Sequence, residues 1–239
     1  MCTVTYIPQD KGFILTSNRD EAPARAAELL CQEERNGMLI TYPKDEGAGG
    51  SWIAASSLGQ VVCLLNGAYE KHERTPPYKR SRGLMVLSFF DYAGINDFVS
   101  HYDFAGMEPF TFLMMDKGEL WELRWMGEEM TFRQLDTNNR HIWSSATLYD
   151  AAMQQKRRSW FDDWGRKGDF SAASILDFHR NGGEGNPYFD IVMNRNNIVC
   201  SISITQIIVS ESLLLTHLNL IDGTVKKRNL IVKNEKVCG

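Results

Sequence analysis

The sequence predicts an α+β fold of stacked antiparallel sheets with helices on the outside. Three observations carry that expectation. Strand-like segments lie at both ends of the chain and in its middle, with helical stretches between them. Most of these strands are joined by short turns, which suits antiparallel pairing rather than the long crossovers of a parallel sheet. The run Val61-Val62-Cys63-Leu64-Leu65 is almost continuously apolar, as in a strand covered on both faces. Strands from both ends are expected to share one architecture, and no linker or repeat interrupts the chain. Residues 1–239 are therefore read as one domain.

Each element has its own local reason. Thr3–Ile7 and Gly12–Ser17 are β-rich and are separated by Pro8-Gln9-Asp10-Lys11, a natural turn. Met38–Tyr42 is a further short strand. Ser51–Ser56 and Gln60–Leu65 flank Ser57-Leu58-Gly59 as a hairpin. Ser81–Tyr92 carries apolar residues at helical spacing with Ser81 at the N-cap, and Ile95–Tyr102 is a shorter helix. Three strands follow, Phe110–Met115, Glu119–Arg124 and Met130–Leu135, with Asp116-Lys117-Gly118 as the first turn. Helices are expected over Leu148–Arg166 and Ala172–Arg180, the second stopped by Asn181-Gly182. The strands Ile198–Ile208, Ser212–Asn219 and Thr224–Val232 close the chain.

Composition excludes more than it selects. The 239 residues are 43% hydrophobic, so a core can form without a disulfide or metal staple. A net charge of -4 argues against nucleic acid as a partner and gives no general attraction to anionic membranes. The basic triplet Lys156-Arg157-Arg158 and the cluster Lys79, Arg80 and Arg82 read as solvated faces. No apolar run approaches the ~18 residues of a membrane span. The opening MCTVTYIPQDKGF has neither the basic leader nor the apolar stretch of a secretory signal. The five cysteines are odd in number and widely spaced, with Cys63 and Cys200 inside apolar runs. They indicate neither a disulfide framework nor a zinc site, and they favour a reducing, cytoplasmic setting. The five histidines show no ligand spacing, and there is no phosphate-binding glycine loop. No metal and no cofactor are expected.

The chemistry centres on Cys2. Removal of Met1 would expose a thiol and a free α-amine on one residue. Their ordinary pKa values, ~8.5 and ~7.7–8.0, both lie near neutrality, so the amine can serve as general base to its own side chain. The string Asn18-Arg19-Asp20-Glu21 follows the second strand, and a hairpin would bring it to the start of the chain. There Arg19 would favour the thiolate, and Asp20 would accept a hydrogen bond from the α-ammonium. Gly49-Gly50-Ser51-Trp52 permits close backbone approach and offers Trp52 as a pocket wall. Asn66, at the end of the buried run, is a candidate oxyanion donor as well as a turn former.

These motifs resemble the NRDE family, also called the transport-and-Golgi-organisation protein 2 family. Met1-Cys2-Thr3, Asn18-Arg19-Asp20-Glu21, Gly49-Gly50-Ser51-Trp52, Leu65-Asn66-Gly67 and Ser81-Arg82-Gly83 carry the resemblance. More distantly, Cys2 with a following Arg and Asp is similar to penicillin V acylase and conjugated bile salt hydrolase. The resemblance implies the four-layer αββα sandwich of N-terminal-nucleophile hydrolases. It implies Cys2 as nucleophile, with Arg19, Asp20 and Asn66 as catalytic partners. Asn18, Glu21, Trp52 and Ser144 would contact a small-molecule amide. The acylases carry a second Asn where this chain has Ile142-Trp143-Ser144-Ser145, so Ser144 or Ser145 would have to donate in its place. The alternative on the same fold is a non-catalytic protein that binds haem, a lipid or another apolar ligand.

Overall fold

The computed structural model describes residues 3–27 and 30–232. Elements follow in chain order as strands β1 (Thr3–Pro8), β2 (Phe13–Glu21), β3 (Leu30–Arg35), β4 (Met38–Pro43), β5 (Ile53–Ser56) and β6 (Val61–Asn66). Helices α1 (Arg82–Ser88) and α2 (Ile95–His101) come next, then β7 (Phe110–Asp116), β8 (Glu119–Trp125), β9 (Met130–Leu135) and β10 (His141–Ser144). The chain continues through α3 (Ala151–Gly165), α4 (Ala172–Asn181), β11 (Asn194–Arg195), β12 (Val199–Val209), β13 (Ser212–Asn219) and β14 (Val225–Ile231).

Two antiparallel sheets result. The first has the order β10-β1-β2-β12-β13-β14, with β11 against β12, and the second runs β3 to β9 in sequence. Three apolar clusters define the layers. Val62, Leu64, Phe112 and Met114 of the second sheet pack against Met85, Val86, Phe89 and Phe98 of the α1–α2 segment. Between the sheets, Val61, Cys63 and Leu65 meet Val4, Leu15, Ile207 and Leu215. Behind the first sheet, Ile7 and Ile14 meet Phe161, Trp164, Ile175 and Phe178 of α3 and α4. The α+β, four-layer expectation therefore holds. β6 is the strand buried on both faces, its odd residues serving one cluster and its even residues another.

Several boundaries differ from expectation. β2 does not stop at Ser17 but runs to Glu21, because β12 pairs with it along its length, with a bulge between Ser201 and Ser203. β3, β10 and β11 are additional strands. β3 carries exposed Gln32 and Glu34, as befits the charged edge of a sheet. The Asn36–Gly37 pair, with φ of 51° and 77°, makes its hairpin with β4. Asp150 starts α3 later than expected, its Oδ1 accepting the Met153 N–H at 2.8 Å. The expected helix over Ser81–Tyr92 ends at Ser88 and continues as a 3₁₀ turn over Phe89–Asp91. Cys63 and Cys200 are buried thiols as read. The triplet 156–158 is not a uniformly solvated face, since Arg157 is fully buried.

Candidate functional site

The end of β2 divides the polar string between two faces of one strand. Successive side chains of a strand point to opposite sides. Arg19 and Glu21 line a cleft, whereas Asn18 and Asp20 face the α3–α4 layer.

The cleft holds about 370 Å³. Its floor is built around Arg19, whose side chain is only 3% exposed. The guanidinium donates to Asp45 Oδ2 at 2.6 Å and to the Arg25 carbonyl at 2.7 Å, and lies 4.2 Å from the centre of the Trp52 ring. Asp45 also takes Arg25 at 2.5 Å, and Arg25 reaches Glu21 at 2.8 Å. Trp52 and Asn66 complete this side. Arg82 stands opposite, pairing with Glu108 at 2.9 Å and donating to the Pro109 carbonyl at 2.8 Å. Burial pushes the Arg82 pKa down, against the pull of the Glu108 carboxylate.

The glycine pair acts on the chain itself. A Cβ on Gly50 would stand 2.2 Å from the Gly83 carbonyl carbon, and the Ser51 N–H donates to the Gly83 carbonyl at 3.0 Å. Gly50 thus lets the Asp45–Trp52 segment dock on the start of α1, bringing Arg82 over the cleft. Gly50→Ala should cost about 3 kcal/mol, read as a fall in the urea unfolding midpoint. Gly47→Ala, whose Cβ would meet nothing closer than 3.5 Å, should change stability by less than about 0.5 kcal/mol.

On the other face, Asn18 Nδ2 donates to the His179 carbonyl at 3.0 Å, and His179 Nδ1 donates to Asn18 Oδ1. His179 Nε2 then accepts from Thr5 Oγ1 at 2.7 Å, which requires the neutral ring. Burial, with the Arg157 charge second, pushes the His179 pKa down to about 3. Asp20 takes the Tyr149 hydroxyl at 2.7 Å on one oxygen and Ser201 Oγ on the other.

Cys2 lies outside the described residues. Its neighbour Thr3 pairs with Asn18 of β2 on one side and Ser144 of β10 on the other. Four of the expected site residues, Arg19, Glu21, Trp52 and Asn66, therefore share the cleft. Asn18 and Asp20 belong to buried networks behind it, and Ser144 lines a separate cavity of about 140 Å³ with Arg124 and Arg133. Ser145 Oγ donates to the Asn66 carbonyl at 2.8 Å, fixing the end of β6. Among the described residues no group of three or more His, Cys, Asp or Glu is arranged to hold a metal.

The family model for Transport and Golgi organisation 2 matches residues 1–172. The chain belongs to that family. No curated protein matches it in sequence. Among solved structures, this chain is similar to the Caenorhabditis elegans ortholog of N-acylethanolamine-hydrolyzing acid amidase. The TM-score is 0.57 at 12% identity, over 86% of this chain and 92% of that one. It is also similar to a mutant of the conjugated bile acid hydrolase from Clostridium perfringens. There the TM-score is 0.55 at 9% identity, over 98% and 94% of the two chains. At such identities the likeness shows the fold, that of the N-terminal-nucleophile hydrolases.

Sequence reasoning did not single out Arg25, Asp45 or Glu108 of the cleft, and it read Arg82 and Arg157 as parts of solvated basic clusters, whereas Arg82 lines the cleft and Arg157 is buried behind it. Asp45 sits in a charged stretch, Lys44-Asp45-Glu46, that reads as a loop. Arg157 has a usable signal, because it stands four and seven residues before Phe161 and Trp164 on the buried face of α3.

Proposed function

We propose that this chain is an N-terminal-nucleophile cysteine hydrolase acting on a linear amide once Met1 is removed. The observation that carries this reading is the β1–β2 register. Thr3, which follows Cys2 in the sequence, stands opposite Asn18, the residue just before Arg19-Asp20-Glu21. In the proposed reaction the α-amine of Cys2 takes the thiol proton, and Sγ attacks the amide carbon. The oxyanion is held by the Asn66 side-chain amide together with backbone N–H groups. The C–N bond then breaks as the α-ammonium gives its proton to the departing amine. Water, activated by the same amine, cleaves the acyl-thioester and regenerates the thiol. Trp52 walls the acyl path, and Glu21 supplies a polar contact at the rim.

The charge lining favours this over the binding of a wholly apolar ligand. Arg19, Arg25 and Arg82 with Glu21, Asp45 and Glu108 line the cleft, and an apolar occupant would strip water from them without replacing it. The test is intact mass of protein from its native host, before and after brief iodoacetamide treatment and after incubation with N-acyl amides. Loss of Met1, fast alkylation confined to Cys2 and an acyl adduct on that residue are expected. Retained Met1 with an inert Cys2 would refute the reading.

A further inference from the structure

Arg157 is fully buried in the layer between α3 and the first sheet, yet its hydrogen-bond acceptors among the described residues are all neutral. It donates to Thr3 Oγ1, to the Phe189 carbonyl at 2.9 Å and to the Asp190 carbonyl at 2.6 Å. Its guanidinium carbon lies 3.7 Å from the centre of the Tyr149 ring, and its Nε has no hydrogen-bond partner among the described residues. An interior cation without a carboxylate beside it is costly, and apolar packing would serve stability at least as well. Arg19, by contrast, has Asp45 as a direct counter-charge.

Tyr149 relays the charge. Its ring stacks on Arg157 and its hydroxyl donates to Asp20 at 2.7 Å, so the buried cation and the Asp20 carboxylate sit at the two ends of one side chain. Also around this face are Ser201 on β12, bonded to Asp20, the neutral His179 on α4, and the Cys200 thiol, whose pKa burial and then the Asp20 charge push up. Arg195 on β11 lies with its guanidinium carbon 5.4 Å from the Tyr149 ring centre. Thr3, which Arg157 holds, is joined to Cys2 by one peptide unit, ~3.8 Å between Cα atoms.

We propose that Arg157 is a positioning residue for the N-terminal nucleophile: it anchors the start of β1 through Thr3 and offsets the Asp20 charge, favouring the free amine and the thiolate of Cys2. The proposal rests on Cys2 being the nucleophile. With the Arg157 charge removed, the Asp20 carboxylate would weigh more toward the ammonium and the neutral thiol, both the wrong forms for attack. A purely structural role would leave the protonation of Cys2 unchanged.

The experiment is the pH dependence of Cys2 alkylation by iodoacetamide in full-length, Met1-processed protein, located by peptide mass. Wild type, Arg157→Met, Arg157→Gln and Arg157→Lys are compared. The wild-type midpoint is expected below the ordinary thiol value of ~8.5. Either neutral variant should raise it by about one pH unit, slowing alkylation at pH 7 about tenfold. Arg157→Lys, which keeps the charge and loses the fork, should return the midpoint to within a few tenths of wild type. Glutamine keeps a donor for Thr3, so it serves if methionine prevents folding. A reactive wild-type Cys2 whose midpoint is the same in a folded neutral variant overturns the Arg157 proposal alone. An inert wild-type Cys2 overturns the hydrolase reading and this proposal with it.

Discussion

Asp45→Ala should lower folding stability by about 3–5 kcal/mol, because it takes the direct carboxylate away from a buried guanidinium. The reason lies in the asymmetry of the Arg19–Asp45–Arg25 group. The Arg19 side chain is 3% exposed and that of Asp45 11%, whereas that of Arg25 is 42% exposed. With Asp45 gone, Arg19 loses its direct carboxylate, while the Arg25 carbonyl at 2.7 Å and the face of Trp52 remain. A ring face contributes about 0.5–2 kcal/mol to a cation and does not replace a carboxylate. Asp45 also organises its own loop, its Oδ1 accepting the Ala48 N–H at 3.2 Å. Arg25→Ala removes a partner that water can replace and should cost no more than about 1 kcal/mol. Urea denaturation separates the two through the midpoint at unchanged m-value. An Asp45→Ala loss as small as that of Arg25→Ala would mean that Arg19 is solvated in the folded protein.

This ion-pair group also shows where sequence reading reaches its limit. The Asn18–Glu21 string is legible as chemistry because four polar residues follow the apolar strand Phe13–Ser17. What is not legible is that the strand continues. Pairing with β12, almost two hundred residues away in sequence, keeps 18–21 extended, and extension sends alternate residues to opposite faces. A local reading groups Arg19 with Asp20, whereas the fold gives each a different partner, Asp45 for one and Tyr149 with Ser201 for the other. The same limit hides β3, whose Gln32-Glu33-Glu34-Arg35 lacks apolar alternation because an edge strand has solvent on one side. The double cover of β6, by contrast, is legible in Val61–Leu65, where a short run apolar at five successive positions and bounded by turn residues suits a strand buried on both faces, while the four-layer order comes with the family resemblance. Gly49-Gly50 is legible as a close approach, but not that the approaching chain is Gly83 of the same molecule.

The protein should also lose stability steeply as pH falls below about 6.5, by roughly 1.4 kcal/mol per pH unit for each of two histidines. Burial, then the Arg157 charge, pushes His179 down to about 3. Burial, then the Arg19 and Lys226 charges, pushes His217 down to about 4. In the unfolded chain both titrate near ~6.5. Below that pH the unfolded state binds protons that the folded state refuses. Their stabilisation is therefore complete above about 6.5 and is lost as pH falls toward the folded values. The window from pH 6.5 to about 5 isolates the effect, because ordinary carboxylates, near ~3.9–4.3, titrate below it. Urea midpoints across that window should report an excess uptake on unfolding that rises from about one proton at pH 6.5 to nearly two at pH 5, and half as much in His179→Gln. Glutamine can still donate to Asn18 Oδ1, and it has no proton to gain. A flat profile would mean that His179 accepts a proton in place, turning the Thr5 hydroxyl into an acceptor. The ring would then be a cation beside Arg157, and the buried face behind Thr3 would tolerate two positive charges. The steep profile is the outcome that fits a single retained cation there.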